Sequence, residues 1–171
     1  QGASMPAPMN KLIAGSDALT KSDFAPLVLA GDNTYTGTTT VDGGTLEVAA
    51  GSAARSGITV DNSANQNATL QVDSGTTLNT QVTLANGGVL DNAGSVSNFV
   101  GVTSTSATDT VDNHGGGSIS GFVGVFAQNG GTIDNSGQGT SIGGAIAGVF
   151  ANTPVTVNNT GTIYTAGDNA P

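Results

Sequence analysis

The sequence contains three features whose residue types could do chemistry: one histidine, one serine in a G-x-S-x-G pattern, and several regularly spaced aspartates. His114 is the only histidine, and a lone histidine can serve as a general base or a metal ligand. It follows Asn113 and precedes three glycines, which is typical of a turn, and the partner residues that such a site requires are missing. We therefore interpret His114 as a solvent-exposed turn residue.

Ser141 is the central serine of Gly139-Thr140-Ser141-Ile142-Gly143. A nucleophile elbow of this pattern needs a strand, a sharp turn and a helix, with a histidine later in the chain. No histidine follows Ser141, and no helix is predicted there. We interpret the match as a chance product of a Gly- and Ser-rich sequence.

The aspartates follow aliphatic residues at sites that we expect to be turns. Stacked at strand spacing, about 5 Å apart, their carboxylates would repel unless they were hydrogen-bonded, hydrated or bridged by calcium. The calcium-repeat consensus G-G-x-G-x-D-x-U-x is absent, so we expect hydrated turn ladders. We predict no catalytic, cofactor-binding or metal-binding residue and no cofactor. The aspartates concerned are Asp61, Asp91, Asp112 and Asp134.

Composition limits the partners that the chain can take. The 171 residues fit one domain and carry a formal net charge of -9, with no Lys or Arg after Arg55. Nucleic acids and anionic membrane surfaces need cationic contacts, so both are poor partners. The chain has no cysteine, which excludes a disulfide scaffold, and no apolar stretch long enough for a transmembrane helix, so this segment should not insert into a membrane.

Three patterns recur at a nearly constant spacing. Gly-Gly-x-aliphatic-acidic begins at Gly43, Gly87 and Gly130. A second pattern, aliphatic-Asp-Asn, recurs after one longer first step at nearly equal steps, and its last copy is a variant with Asn in place of Asp. It begins at Val60, Leu90, Val111 and Ile133, and the variant begins at Val157. The third pattern centres an aliphatic residue between Ser, Thr or similar residues, at Val96, Ile119, Ile142 and Ile163.

These spacings predict a repeating coil of about 22 residues, built from three short strands joined by turns. The longer step from Val60 to Leu90 suggests an insertion near residues 62–67. Small aliphatic residues would stack inside such a β-solenoid, and asparagines at matching turn positions would adopt positive φ and bond the next coil through their amides. We also expect Phe99 to stack on Phe122 and Phe126 on Phe150, since the members of each pair are separated by one coil length.

The N-terminal segment differs from the rest. Gln1 to Asn10 is polar with two prolines, and we predict an extended arm. Ser16 could cap a short helix that covers the first coil. We therefore divide the chain into an arm with a capping turn or helix, residues 1–26, and a solenoid, residues 27–171.

The stretch Leu27 to Val48 carries a recognisable pattern of strand and turn residues. The pattern consists of Leu27, Leu29, Gly31, Asn33, Thr34, Tyr35, Thr36, Gly37, Thr39, Thr40, Val41, Gly44, Thr45, Leu46 and Val48. It resembles the passenger-associated repeat of bacterial autotransporters. The resemblance implies an all-β fold, a right-handed parallel β-helix, carried to the cell surface and anchored by a C-terminal outer-membrane barrel outside this chain.

From the resemblance and the lack of a reactive group, we expect a non-enzymatic, extracellular stalk. Its partners would be host cells, matrix or copies of itself, and an uncapped end of the solenoid could stack on another copy. Two alternatives remain open: a β-helical carbohydrate-active enzyme and a calcium-stabilised secreted module. An ice-binding face is not expected, because we interpret the threonine runs at Thr38–Thr40 and Thr103–Thr105 as not sharing the coil period.

Overall fold

The computed structural model describes residues 15–31, 33–52, 54 and 56–166. In these ranges the chain forms seventeen β-strands and one short 3-10 turn, Asn62–Ala64, and no helix there is long and apolar enough to span a membrane. The strands are β1 (Leu19–Lys21), β2 (Leu27–Leu29), β3 (Thr39–Val41), β4 (Gly43–Val48), β5 (Ile58–Asp61), β6 (Gln66–Val72), β7 (Thr77–Leu78), β8 (Val82–Ala85), β9 (Val89–Asn92), β10 (Ser95–Ser97), β11 (Val100–Ser104), β12 (Thr110–Asn113), β13 (Ser118–Ala127), β14 (Thr132–Asn135), β15 (Ser141–Ala151), β16 (Thr156–Asn159) and β17 (Thr162–Thr165).

The strand pairs among these residues are all parallel, and each pair joins successive coils. The result is a β-solenoid of about seven turns with a repeat of about 22 residues, which confirms the predicted fold class. Seven strands form one sheet, in the order β2-β4-β6-β9-β12-β14-β16, which we call side 1.

The second, ten-stranded sheet supplies two further sides of the coil. The first part of β13 pairs with β10, and its last part pairs with β11, so this long strand turns a corner. Side 2 contains β7, β10, the first parts of β13 and β15, and β17. Side 3 contains β1, β3, β5, β8, β11 and the last parts of β13 and β15. The chain passes from side 3 to side 1 to side 2 in each complete coil.

The interior is filled by register columns of aliphatic side chains. On side 1 the column of Leu46, Leu70, Leu90, Val111 and Ile133 is at most 1% exposed. Burying each such side chain stabilises the fold by about 1.5–3 kcal/mol. The aliphatic residue of the Gly-Gly pattern lies in this column, as predicted. The central residue of the third pattern forms another column on side 2, which contains Val96, Ile119, Ile142 and Ile163.

A glycine column forms the corner between sides 2 and 3. A Cβ atom at Gly124 would lie 2.6 Å from the carbonyl oxygen of Gly148 and 2.9 Å from Cγ2 of Ile142. Both distances are shorter than side-chain carbons tolerate, so the coils stack at this corner only with glycine. Gly101 and Gly148 are the register partners of Gly124 in the neighbouring coils.

The predicted helix after Ser16 is wrong. Residues Leu19–Lys21 form β1, which pairs in parallel with β3, so the solenoid begins before Leu27. Tertiary pairing overrides the capping signal there, because β1 gains backbone partners that an isolated short helix lacks. Lys21 is buried and donates to Oδ1 of Asp23 at 2.6 Å and to the carbonyl of Gly43 at 3.0 Å. Residues 1–14, which include the predicted arm, lie outside the described residues.

The predicted insertion near residues 62–67 is confirmed, although the step that suggested it was misread. The stretch from Val60 to Thr69 spans nine positions, whereas the register-matched stretch in the next coil, Leu84 to Val89, spans five. Val60 lies on side 3 and pairs with Val41 and Leu84, whereas Leu90 lies on side 1 and pairs with Leu70 and Val111. The longer step in the second pattern therefore compared residues on two different sides. The local feature at this point is the 3-10 turn Asn62–Ala64.

Candidate functional site

Side 1 carries carboxylates in register on its outer surface. Asp91, Asp112 and Asp134 are direct partners on β9, β12 and β14. They lie within strands, not at turns as predicted, because each follows an inward-pointing aliphatic residue and strands alternate their side chains. The same column continues into neighbouring coils through neutral or acidic residues. We call Glu47, Gln71, Asp91, Asp112, Asp134 and Asn158 the acidic column.

His114 follows β12 and reaches back to the preceding coil. Its Nε2 lies 2.5 Å from Oδ1 of Asp91, and the two side chains are 41% and 39% exposed. The hydrogen bond with Asp91 raises the pKa of His114; burial opposes this shift, and the charges of Asp91 and Asp112 add to it. His114 is thus a half-exposed residue with a carboxylate partner, and the sequence did not reveal that partner.

The remaining carboxylates of the column differ in their surroundings. Partial burial raises the pKa of Asp112; His114 opposes the shift, and Asp91 and Asp134 add to it. Burial also raises the pKa of Glu47, with further contributions from Asp73. Neutral donors compensate part of this charge, since the amide of Asn158 donates to Oδ1 of Asp134 at 2.5 Å.

Asp61 does not belong to the acidic column. It ends β5 on side 3, where Asn86 donates to its Oδ1 at 2.8 Å and the backbone NH of Ser63 donates at 2.9 Å. The hydrogen bond from Asn86 is the main reason that the pKa of Asp61 is lowered. Over the described ranges, no group of three or more His, Asp and Glu side chains is arranged to hold a metal ion.

The G-x-S-x-G serine does not occupy a nucleophile elbow. Ser141 begins the eleven-residue strand β15, and its hydroxyl contacts Oγ of Ser118 at 3.3 Å. The side chain of Thr140 next to it is buried and donates to the carbonyl of Gly137. The elbow geometry requires a helix after the serine, and here a strand follows.

Directly behind the acidic column lies a ladder of amides, which is buried except at its last member, Asn159. Asn92 donates to Asn113, Asn113 to Asn135 and Asn135 to Asn159, each across 2.7 Å from Nδ2 to Oδ1. The predicted amide bonds between coils are thus present. The predicted positive φ is wrong for these residues, because they end strands and point inward; positive φ occurs instead at Asn65, Asn67 and Asn86. We call Asn92, Asn113, Asn135 and Asn159 the amide ladder.

Sides 2 and 3 present aromatic side chains to solvent. The rings of Phe99 and Phe122 are stacked with centroids 5.0 Å apart and planes at 11°, and those of Phe126 and Phe150 are 5.5 Å apart at 48°. Both predicted pairs are confirmed. Ile146 lies at the bulge of β15 opposite Phe122 and is also exposed. We call Phe99, Phe122, Phe126, Ile146 and Phe150 the Phe strip.

The region around the Phe strip has no exposed charge. Between Ser95 and Thr165 the charged or titratable acidic and basic side chains are Asp109, Asp112, His114 and Asp134. Asp109 is buried and accepts hydrogen bonds from the backbone of Gly87, Thr105 and Ser106 and from the hydroxyl of Ser104. The other three belong to side 1 or the turn that follows it. The solenoid is therefore acidic on one side and uncharged on the other two in these coils.

Parts of this sequence are similar to known proteins. Residues 19–48 match the model of the passenger-associated-transport-repeat. The adhesin BmaC autotransporter of Brucella suis biovar 1 (strain 1330) is 37% identical over an alignment of 111 residues, which covers 54% of this chain and 3% of that protein. No solved structure matches. These findings support an autotransporter passenger domain. This chain spans only a small part of that relative's length, and relatives of this kind imply secretion to the cell surface.

Side 3 also carries a threonine column that sequence reasoning missed. Thr20, Thr40, Thr59, Thr83 and Thr103 are register partners on side 3. The two threonine runs were predicted not to share the coil period, and this prediction is wrong for Thr40 and Thr103. Unequal coil lengths hid the match, since the register step from Thr40 to Thr59 is shorter than the step from Thr59 to Thr83. In the next two coils the column continues as Phe126 and Phe150.

Proposed function

We propose that this passenger segment is an adhesive, structural section of a cell-surface stalk, held at the outer membrane by a domain outside this chain. Its partners are host cells, matrix or copies of the same protein. The observation that carries the proposal is the division of one continuous parallel stack into an acidic side and an uncharged aromatic surface. The relative that it resembles is named an adhesin, which points to a non-enzymatic role.

The geometry supports a stiff rod. Successive coils are joined by parallel strand pairs on up to three sides, and the interior columns interlock without interruption along the stack. Stacked repeats of this kind contact only their neighbours, so they extend a surface in one direction. A net charge of -9 keeps such a rod soluble and disfavours phosphate-rich partners.

Adhesion can be tested with beads coated with the purified chain through an N-terminal tag. We expect coated beads to attach to cultured epithelial cells, to immobilised matrix, or to one another, more than beads coated with heat-denatured chain do. Equal attachment by the two kinds of bead to all three surfaces would refute the adhesive role.

The acidic column raises the question of calcium, which would make the chain a metal-stabilised module instead. Its carboxylates form a single column and do not surround one point as calcium ligands do, and two of them have His114 and Asn158 as partners. We therefore expect the chain to be stable without a cation. Thermal unfolding followed by circular dichroism should give the same midpoint with calcium and with excess chelator. A midpoint that falls by more than a few degrees in chelator would support the calcium-stabilised alternative.

A further inference from the structure

We propose that the Phe strip is the surface through which two copies of this chain bind each other. The inference rests on the proposed adhesive function and deepens it, because it names the contact surface and its occupant. The occupant is a second copy that presents the same strip, so the contact is self-complementary.

The exposure of the strip is a property of the folded stack. Phe99 is 70% exposed and Phe122 is 42% exposed, although both lie in coils that are paired with neighbours on each side. An outward position of the solenoid can be filled by a polar residue, as at Thr59 and Thr83 on side 3. Large apolar side chains gathered on one surface mark an interaction site.

The charge distribution selects a second copy as the occupant. The chain carries nine excess negative charges, so two copies repel when they approach through their acidic columns. The Phe strip lies in coils whose exposed charges are confined to side 1, so two strips can meet without bringing like charges together. A cationic partner would instead prefer side 1. The uncharged strip is complementary to a surface as apolar and uncharged as itself.

The size of the strip predicts a weak contact. A fully buried phenylalanine removes about 150–250 Å² from water, so the exposed fractions of the strip amount to on the order of 400 Å² on each copy. Stable specific complexes bury about 800 Å² on each partner. Isolated chains should therefore associate only in the upper micromolar range. Many copies displayed on one cell surface would add their contacts and bind another cell firmly.

Sedimentation equilibrium of the purified chain, from about 10 μM to 1 mM, tests the inference. We expect the average mass to rise from monomer towards dimer. Phe99→Ser/Phe150→Ser should weaken the association at least about tenfold, because aromatic residues at the centre of a contact contribute most of its energy. Phe99→Asp should abolish it, since the substituted positions bring like charges together.

Phe24→Ser is the matched control. Phe24 is also 70% exposed but lies in the first coil, far from the strip, so this change should leave the association constant unchanged. Circular dichroism of each variant checks that it is folded. A monomer over the whole concentration range overturns the inference, as does an association that survives Phe99→Ser/Phe150→Ser. An association that chelator abolishes also overturns it, because that result indicates cation bridging between acidic columns.

The same variants separate this inference from the proposed function. If wild-type and Phe99→Ser/Phe150→Ser beads attach equally well to cells and to matrix, and both forms associate equally, adhesion stands and the Phe strip is not its surface. If no bead attaches to cells or matrix but the chain dimerises through the strip, the contact stands and the role is limited to self-association.

Discussion

One inward column of side 1 is aliphatic in the first coils and amide in the last. It contains Leu29, Val48 and Val72, followed in register by the amide ladder, Asn92, Asn113, Asn135 and Asn159. The backbone arrangement is the same in both halves, and the interior chemistry differs. The aliphatic half is stabilised by non-directional burial. The amide half is stabilised by a directional chain of hydrogen bonds in a dry interior.

The two halves also close the turn into side 2 differently. In the aliphatic half the hydroxyl of Thr76 donates to the carbonyls of Val48 and Ala49. In the amide half three of the four ladder residues donate to a carbonyl of their own turn: Asn92 to Gly94, Asn113 to Gly117 and Asn159 to Gly161. The comparison teaches that an amide in this column satisfies the turn and the next coil at once. Removal of one amide should therefore affect more than its own coil.

The largest effect should follow Asn113→Ala. This change removes an acceptor for Asn92, a donor to Asn135 and donors to two backbone carbonyls, so we expect a loss of about 2–4 kcal/mol in the free energy of unfolding. Val72→Ala in the aliphatic half should cost about 1–3 kcal/mol through its cavity alone. Urea denaturation measures both.

Asn159→Ala is the control for the ladder. Asn159 is exposed at the last described coil and accepts one ladder bond, so its replacement should cost less than about 1 kcal/mol. If Asn113→Ala is no more costly than Asn159→Ala, the ladder does not act as a coupled network.

The junction between the halves gives a second, smaller test. Oδ1 of Asn92 is buried without a hydrogen-bond partner, because its neighbour in the preceding coil is Val72. Val72→Thr places a hydroxyl donor at that position, whereas Val48→Thr places one between Leu29 and Val72. We expect Val72→Thr to be at least about 1 kcal/mol less destabilising than Val48→Thr in urea denaturation. Equal costs would mean that the junction is satisfied in another way.

The architecture could be predicted from the sequence because the residues of the interior columns recur at a regular spacing. The positions of Leu46, Leu90 and Ile133 repeat with the coil, and strand pairing simply brings them into line. It failed where a motif could belong to either of two sides, as with Val60, and where pairing in three dimensions overrode a local signal, as at β1.

The features of the candidate surfaces were harder to predict. The contact of His114 with Asp91 joins residues in successive coils, and its geometry depends on how the turn after β12 folds back. The threonine column was hidden by coils of unequal length. The confinement of exposed charge to side 1 depends on which side each strand occupies, and composition does not contain that information.

The smallest expected effect is the dependence of stability on pH, which involves His114 beside the amide half. The aspartates that precede Asn92, Asn113 and Asn135 are outward neighbours of the amide half, and His114 is the only histidine of the chain. Its pKa is raised above the ordinary 6.5. The protonated imidazole therefore stabilises the fold fully below pH 6.5, and this contribution is lost as the pH rises through the raised value.

The magnitude should be about 0.2–1 kcal/mol, because both members of the pair are half exposed and solvent screens them. Urea denaturation of the wild type between pH 5.5 and 8.5 should show stability falling with pH, and His114→Gln should remove most of this slope. Burial also raises the pKa of Asp112 and of Glu47, and a raised carboxyl pKa lowers stability with rising pH in the same direction, so the difference between the wild type and His114→Gln gives the share of the histidine. A wild-type stability that rises with pH, or an unchanged slope in His114→Gln, would show that the contact with Asp91 does not stabilise the folded state.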